Sequence, residues 1–371
     1  MILCSRLHHA GRMAATQALR AGAWRVVELL TTPLVPGDYL DVVAPLRNRE
    51  VLRAKVVGVR PETDRAVTLT LRPGRGWRRH EPGQYLRLGV DVDGVRLWRA
   101  YSLTSSPDRR DGLLTVTVTG VDDGAVSGHL LRRARPGMLL GLERPAGDFT
   151  VPPRPPAKVL FVTAGSGITP VMGILRDAVL RGTALRDVVL VHSARRAQDV
   201  LFAAELRDLA RDGRIRLVER HTGTEGRLAP ADLAQLVPDL AERDTWACGP
   251  NDMLDGLAAY WTDAGLTGRL HVERFRPAIA ATGDGGIVTF LRSGPSVGAG
   301  GGTPLLEAGE AAGVLMPSGC RMGICFGCVL PLREGAVRDL RDGRVTTATA
   351  GDNVLVQTCV NAAAGDCHLD V

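Results

Sequence analysis

Cys320, Cys325 and Cys328 stand in a C-x4-C-x2-C run, and Cys359 follows after a long gap. Four thiolates so spaced are the ligand pattern of a plant-type [2Fe–2S] cluster, three from one tight loop and the fourth from a returning strand. Gly319, Gly323 and Gly327 alternate with the loop cysteines and supply the backbone freedom such a wrap requires. Structural zinc sites usually pair two short-spaced knuckles, whereas only one C-x2-C occurs here. A disulfide framework belongs to secreted chains, and no secretory signal is read at the N-terminus. Cys4, Cys248 and Cys367 fall outside the ligand set; Cys367 lies in a strand-like end segment and reads as packing. A cluster of this kind carries one electron at a time.

The chain has 371 residues, too many for a cluster lobe alone and enough for two or three domains. Its formal net charge is +6, and its only lysines are Lys55 and Lys158. No basic run is interleaved with aromatics, which argues against nucleic acid; a basic surface suits an acidic protein or anionic lipid. No window is long and apolar enough to span a bilayer. Residues 13–30, interrupted by Arg20, Arg25 and Glu28, read as an amphipathic helix that either packs on its own protein or touches a membrane. The expected location is the cytoplasm, with peripheral contact at the inner face of the membrane as the alternative.

Residues 1–49 form an N-terminal extension ending in a linker with Pro33, Pro36 and Pro45. Period-two alternation over 65–71 and 113–119 predicts an antiparallel β-barrel for 50–153. A proline cluster at 152–156 marks a boundary. Beyond it, 156–275 alternates short apolar strands with helices, as a parallel sheet with crossover helices does. A Gly-containing linker covers 276–286, and 287–371 forms the last module, an α+β unit around the cysteines.

Three further constellations carry chemistry. Arg99 and Tyr101 are two apart, with Ser102 following, so on a strand the first two share a face. An arginine clamps phosphate and a tyrosine ring stacks on a flat heterocycle; the bland reading is an ordinary surface pair. Gly124 and Ser127 open a helix expected over 127–135. A helix start with a glycine and a hydroxyl seats a diphosphate, and a plain N-cap explains Ser127 equally well. Residues 163–170 (Thr-Ala-Gly-Ser-Gly-Ile-Thr-Pro) follow a strand and precede a helix expected from about Pro170, as a dinucleotide phosphate loop does. Pro170 replaces the last glycine of that fingerprint and is comfortable in a first helical turn. Cys248, Gly249 and Pro250 end a later strand of the same sheet, the edge at which parallel sheets bind ligands; a buried small residue is the alternative for Cys248.

Together these motifs, in this order over residues 50–371, resemble the ferredoxin–NADP reductase family with a C-terminal plant-type ferredoxin module, a layout similar to oxygenase reductases. Residues 31–34, 101–107, 245–250 and 319–325 look closest to the actinobacterial reductases that serve a stearoyl-CoA 9-desaturase. The resemblance implies a FAD-binding barrel, an NAD(P)H-binding α/β domain and a β-grasp [2Fe–2S] domain. Arg99 would contact flavin phosphate, Tyr101 stack on the isoalloxazine and Ser102 lie near its N5. Gly124 and Ser127 would hold the FAD pyrophosphate. Thr163, Gly165, Gly167 and Pro170 would hold the nicotinamide dinucleotide, with Cys248, Gly249 and Pro250 near the hydride. Glu273 and Phe275 resemble a stretch whose aromatic covers the flavin in some relatives. Phe326 departs from the small residue that many ferredoxins place there.

The activity implied is a reductase taking hydride from NADPH, or NADH, and releasing single electrons through the cluster. Arg195 and Arg196 follow the second strand of the α/β domain, where arginine pairs with a 2′-phosphate, which favours NADPH. The acceptor is a terminal oxygenase or a membrane desaturase. A redox-sensing module whose cluster signals rather than conducts is the reading from another class.

Overall fold

The alternating Thr/Val runs fold as paired strands buried on both faces, the apolar side chains in the core and the Thr68–Thr117 and Thr104–Thr115 hydroxyls paired at 2.7 Å on the other face. The computed structural model describes residues 43–48, 51–122, 124–182, 185–275, 281–352 and 354–371. The expected helix over 13–30 and most of the first linker lie outside them. Strands β1 (Arg53–Thr63), β2 (Ala66–Pro73), β3 (Tyr85–Val92), β4 (Val95–Ser102), β5 (Leu114–Thr119) and β6 (Leu139–Leu142) form one antiparallel sheet ordered β4-β3-β6-β1-β2-β5. A bridge between Leu103 and Val116 joins its two edges, and Thr104 N donates to Thr115 O at 2.8 Å. The interior is apolar, with Leu69, Leu86, Leu88, Val116 and Leu130 fully buried. Helix α1 (Ala125–Arg133) starts earlier than the expected Ser127.

The second sheet contains β7 (Lys158–Ala164), β8 (Asp187–Ala194), β9 (Arg216–His221), β10 (Asp244–Cys248) and β11 (Leu270–Glu273), all parallel, ordered β11-β10-β7-β8-β9. Helices α2 (Ile168–Arg181) and α3 (Ala203–Arg211) cover one face, α4 (Pro230–Leu236) and α5 (Asn251–Asp263) the other. The strand run on either side of β7 reverses direction, so a crevice opens at the carboxyl ends of β7 and β10. Helix α2 begins at Ile168 rather than Pro170 because a 3-10 turn over Gly165–Gly167 already bends the chain.

The third sheet holds β12 (Gly286–Phe290), β13 (Ser296–Ala299), β14 (Val329–Asp339), β15 (Val345–Ala348), β16 (Val354–Gln357) and β17 (Asn361–Leu369), with helix α6 (Leu305–Ala311) packed on it. β17 runs parallel to β12 and antiparallel to β14. Cys367 is fully buried in this core, beside Val288 and Gly335 in register, in agreement with its reading as packing. Among the described residues, no helix is long and apolar enough to cross a membrane.

The barrel and the parallel sheet meet through glycines. A Cβ at Gly173 on α2 would lie 2.3 Å from the Leu103 carbonyl oxygen, and one at Gly83 would lie 2.0 Å from that of Phe149. Gly173→Ala is therefore expected to destabilise the protein by about 1–3 kcal/mol, the usual cost of overpacking. A Cβ at Gly256 on α5 would meet only Pro230 Cγ at 3.4 Å, so Gly256→Ala is expected to be neutral or stabilising by up to about 1 kcal/mol. Denaturant melts of the two variants check the contrast; equal losses would mean that helix α2 is not held so closely.

Candidate flavin, nicotinamide and cysteine-loop sites

Strand β4 carries the first constellation at its end. Register pairs Leu88 with Arg99, Leu86 with Tyr101 and Tyr85 with Ser102. Arg99 and Tyr101 thus share one face, as expected, while Ser102 lies on the other with Tyr85 and Arg87. Arg99 is largely withdrawn from water, and burial together with the Arg321 charge lowers its pKa to about 10. Among the described residues, its guanidinium donates to the Trp98 carbonyl at 2.8 Å and has no carboxylate partner. A buried guanidinium left in that state suits an anionic ligand group. Ser102 is 4% exposed, and its hydroxyl has no partner, an orphan of the sort a bound polar ring satisfies. Burial raises the Tyr101 pKa, keeping the phenol neutral.

Helix α1 is capped by Gly124 with no side-chain bond, so Ser127 is not the N-cap. Ser127 Oγ instead accepts from Val121 N at 3.2 Å and lies 3.4 Å from Gly124 O, tying the turn that precedes the helix. A Cβ at Gly124 would fall 2.4 Å from that hydroxyl, so the turn requires glycine. With no side-chain cap, the first turn of α1 keeps the amides that a helix start leaves without intrahelical partners.

The β7 loop and the β10 end are in contact. A Cβ at Gly167 would lie 2.0 Å from the Cys248 carbonyl oxygen, and one at Gly249 would lie 3.2 Å from Ala164 Cβ. Gly165 has φ +53° with open space beside it, and Pro170 is buried in the first turn of α2. Thr163 is fully buried and its hydroxyl pairs with His192 Nδ1 at 2.8 Å. Its side chain is thus turned into the sheet, and any part it takes in the loop is through the backbone. Cys248 is fully buried, and burial pushes its thiol well above the usual range, so it acts as a neutral contact rather than a thiolate.

The two arginines after β8 differ. Arg196 makes a bidentate pair with Asp199, at 3.0 and 2.9 Å. Arg195 is exposed and has no carboxylate partner among the described residues; only its carbonyl is engaged, by Gly223 N at 2.9 Å. Phe275 is 37% exposed just beyond β11.

Glu273 was legible only as part of a short stretch, yet register sets it directly beside Cys248. Its Oε2 is buried without a partner, and its Oε1 would lie 3.8 Å from a Cβ at Gly147 of the barrel. Burial, reinforced by Asp148, raises its pKa to about 8. The two residues are distant in sequence, so only strand pairing reveals the juxtaposition.

The cysteine loop folds inward. Arg321 and Phe326 take left-handed φ of 60° and 57° and Gly323 takes 74°. Backbone amides converge on sulfur: Cys320 N on Cys325 Sγ at 3.1 Å, Met322 N on Cys320 Sγ at 3.3 Å, and Gly327 N on Cys325 Sγ at 3.4 Å. The thiols associate two and two, Cys320 with Cys325 and Cys328 with Cys359. All four are free of disulfides. Amides aimed at sulfur stabilise thiolates. Among the described residues, no group of three or more His, Cys, Asp or Glu side chains is arranged to hold a metal ion. The loop lies against the barrel, where a Cβ at Gly319 would meet Arg87 Nη1 of β3 at 3.2 Å.

Comparison with known proteins matches this architecture. Residues 65–151 match the oxidoreductase FAD-binding domain and residues 161–258 the oxidoreductase NAD-binding domain. An NADPH oxidoreductase of Mycobacterium tuberculosis is 48% identical over 98% of this chain and 94% of its own length. The ferredoxin reductase component of a 3-ketosteroid-9-alpha-monooxygenase from Mycolicibacterium smegmatis is 32% identical over 77% of this chain and 87% of its own. Among solved structures, a phthalate dioxygenase reductase, described as modular for electron transfer from pyridine nucleotides to [2Fe–2S], aligns over 86% of this chain and 98% of its own. That alignment has TM-score 0.58 at 22% identity, a likeness of fold. With an antiparallel FAD-binding sheet and a parallel NAD-binding sheet meeting at these sites, the chain belongs to the FAD-binding ferredoxin reductase family and is an NAD(P)H oxidoreductase.

Proposed function

We propose that the protein is an NADPH-dependent FAD and [2Fe–2S] reductase that delivers single electrons to an oxygen-activating partner protein. The observation that carries this is the meeting of three lobes at β3: a Cβ at Gly147 would lie 3.0 Å from the Tyr85 ring and 3.8 Å from Glu273 Oε1 of the parallel sheet, and one at Gly319 of the cysteine loop would lie 3.2 Å from Arg87 Nη1. When bound, NADPH supplies a hydride, FAD accepts it and releases electrons singly, and the cluster passes them outward.

The chain's own residues have distinct tasks in this reading. Residues 50–153 hold the flavin, 156–275 the nicotinamide dinucleotide and 287–371, a ferredoxin-like β-grasp module, the cluster. Arg99 binds flavin phosphate, and Tyr101 offers its neutral ring to the isoalloxazine. The Ser102 hydroxyl, which has no protein partner, would be a hydrogen-bonding group for the ring edge. Gly124 lets the α1 amides approach the pyrophosphate. Gly165, Gly167 and the start of α2 take the second pyrophosphate, with Pro170 fixing the turn. Cys248, Gly249 and Pro250 wall the nicotinamide, and Phe275 shields the flavin from water. Glu273 holds a proton at this junction at neutral pH, so no uncompensated charge is buried beside Cys248. Cys320, Cys325, Cys328 and Cys359 are the cluster ligands.

The 48% identical relative is named only an NADPH oxidoreductase, but others are reductase subunits of a stachydrine N-demethylase, a glycine betaine monooxygenase and a 3-ketosteroid-9-alpha-monooxygenase, which favours a terminal oxygenase as acceptor. A membrane stearoyl-CoA desaturase is the second acceptor, favoured by the motif resemblance at residues 245–250 and 319–325. Residues 13–30, which bear on membrane contact, lie outside the described residues.

The function is tested by Cys328→Ser. Wild-type protein prepared without oxygen is expected to contain flavin and iron. The variant is expected to lose iron, to keep NADPH–ferricyanide activity, and to lose most cytochrome c reduction. Zinc in place of iron in the wild type, or full cytochrome c reduction by an iron-free variant, would overturn the electron route.

Arg195→Ala is expected to raise KM for NADPH about ten- to a hundredfold, the loss of a charge-assisted contact worth roughly 1.5–3 kcal/mol, and to leave KM for NADH nearly unchanged. Arg196→Ala should act less, since Asp199 already engages that guanidinium. Steady-state kinetics with both coenzymes decide; equal effects on the two would remove the 2′-phosphate role.

Glu273 gives a pH signature. The folded state holds its proton up to about 8, the unfolded state only to about 4.5. Between these values the native protein binds more protons, so its stability falls as pH rises through this window and levels off above it. The melting temperature of wild type relative to Glu273→Gln is expected to fall from about pH 4.5 to about pH 8. Parallel curves for the two proteins would mean that the carboxyl titrates normally.

A further inference from the structure

The cysteine loop meets the barrel at a charged side chain that none of the motifs contains. Arg87 lies mid-strand in β3, on the same face as Tyr85. Its guanidinium pairs with Glu143, just past β6, and Glu143 N donates to Arg87 O at 3.0 Å. Side-chain exposure is 20% for Arg87 and 34% for Glu143, so the pair is partly enclosed. On its other side, Arg87 Nη1 would lie 3.2 Å from a Cβ at Gly319. Gly319 has no side chain, and this lets the guanidinium come up to the loop backbone. The same imaginary Cβ would fall 2.4 Å from Cys325 Sγ, so Arg87 and the Cys325 sulfur both border the space left open at Gly319.

We propose that Arg87, held in place by Glu143, is the positioning residue that seats the cysteine loop against the flavin barrel and favours electron passage into the loop. This rests on the cluster reading above. Two physical effects act together. The Glu143 pair fixes the guanidinium's fork, so the loop is docked in one orientation, and electron transfer is sensitive to separation. The positive charge beside Cys325 favours the more negative, reduced form of the site. Arg99 and Arg321 lie at the same junction, but Arg321 is paired to Glu310 and Arg99 is assigned to the flavin. Arg87 is the barrel cation with a carboxylate anchor on one side and the loop on the other.

The test uses full-length holoprotein carrying Arg87→Ala, Arg87→Lys or Glu143→Gln. Arg87→Ala is expected to keep flavin content and NADPH–ferricyanide activity within about twofold and to lower cytochrome c reduction about tenfold, the scale of one charge-assisted contact. The midpoint potential of the iron centre, followed by redox titration, is expected to move negative by about 59 mV for a tenfold change in the one-electron equilibrium. Amide exchange across residues 319–328 is expected to speed up. Arg87→Lys, which keeps charge but not the fork, should restore most of the potential and only part of the exchange protection. Glu143→Gln should speed exchange with a smaller change in potential. Unchanged cytochrome c rate, potential and exchange in Arg87→Ala would overturn the seating role while leaving the cluster assignment intact. Equal loss of ferricyanide and cytochrome c activity would also overturn it, making Arg87 a residue of the flavin domain's fold. Wild-type protein without iron overturns the cluster reading and this proposal with it.

Discussion

The seam between barrel and parallel sheet is closed by backbone against backbone, and every site residue depends on it. Gly173 admits the Leu103 carbonyl, and Gly83 admits that of Phe149. Polar contacts then lock the seam. Arg176 Nη1 donates to Thr104 O at 2.8 Å, Ser106 Oγ to Asp177 at 2.6 Å, and Trp246 Nε1 to Thr150 O at 3.2 Å. Buried donors and acceptors at such a junction must be matched, because an unpaired one costs about 1–3 kcal/mol. The Leu103–Ser106 stretch directly follows Ser102, so fixing it also fixes the end of β4, where Arg99, Tyr101 and Ser102 stand.

Against this well-satisfied seam, the unsatisfied groups stand out. The Ser102 hydroxyl and Glu273 Oε2 are buried without partners, and Arg99 has only a neighbouring carbonyl. Structural cores rarely tolerate such groups. Buried groups without partners also lie elsewhere in the fold, at Thr119 Oγ1 and Trp261 Nε1 among others, but Ser102 and Glu273 stand at the end of β4 and at the carboxyl edge of the sheet, where a polar, planar ligand would meet them. The nearby thiol and phenol, Cys248 and Tyr101, are both held neutral by burial. The site therefore offers shape and hydrogen bonds with little fixed negative charge, which suits hydride movement between two ring systems.

The C-terminal lobe brings different physics. Its loop accepts left-handed backbone at Arg321 and Phe326, where side chains ordinarily avoid it. Such strain persists when the surroundings over-determine it, and here the amides turned onto the sulfurs are the gain. Phe326 is left 67% exposed, the departure from a small residue already visible in the sequence. The burial of the loop's other flank against Tyr85 and Arg87 sets a direction: one side toward the barrel, the other toward solvent.

Much of this was written in the residue order. Period-two runs gave β2 and β5, the apolar strand before Gly165 gave β7, and the cysteine spacing marked the loop, because each is a local pattern imposed by one element. Boundaries were less legible: α1 begins at Ala125 and α2 at Ile168, since a capping glycine and a 3-10 turn decide the start rather than a hydroxyl or a proline. Side-chain direction was not legible at all. Thr163 turns to His192, Ser127 ties its own turn, and Arg196 goes to Asp199, each because a nearby partner competes for it. Glu273 beside Cys248 and Arg87 beside Gly319 exist only through strand register and domain packing. The sequence by itself determined which chemistries the chain carries, since ligand types and loop spacing are local. Tertiary structure decided which of those groups meet, because contacts between distant segments are fixed by how buried faces pack.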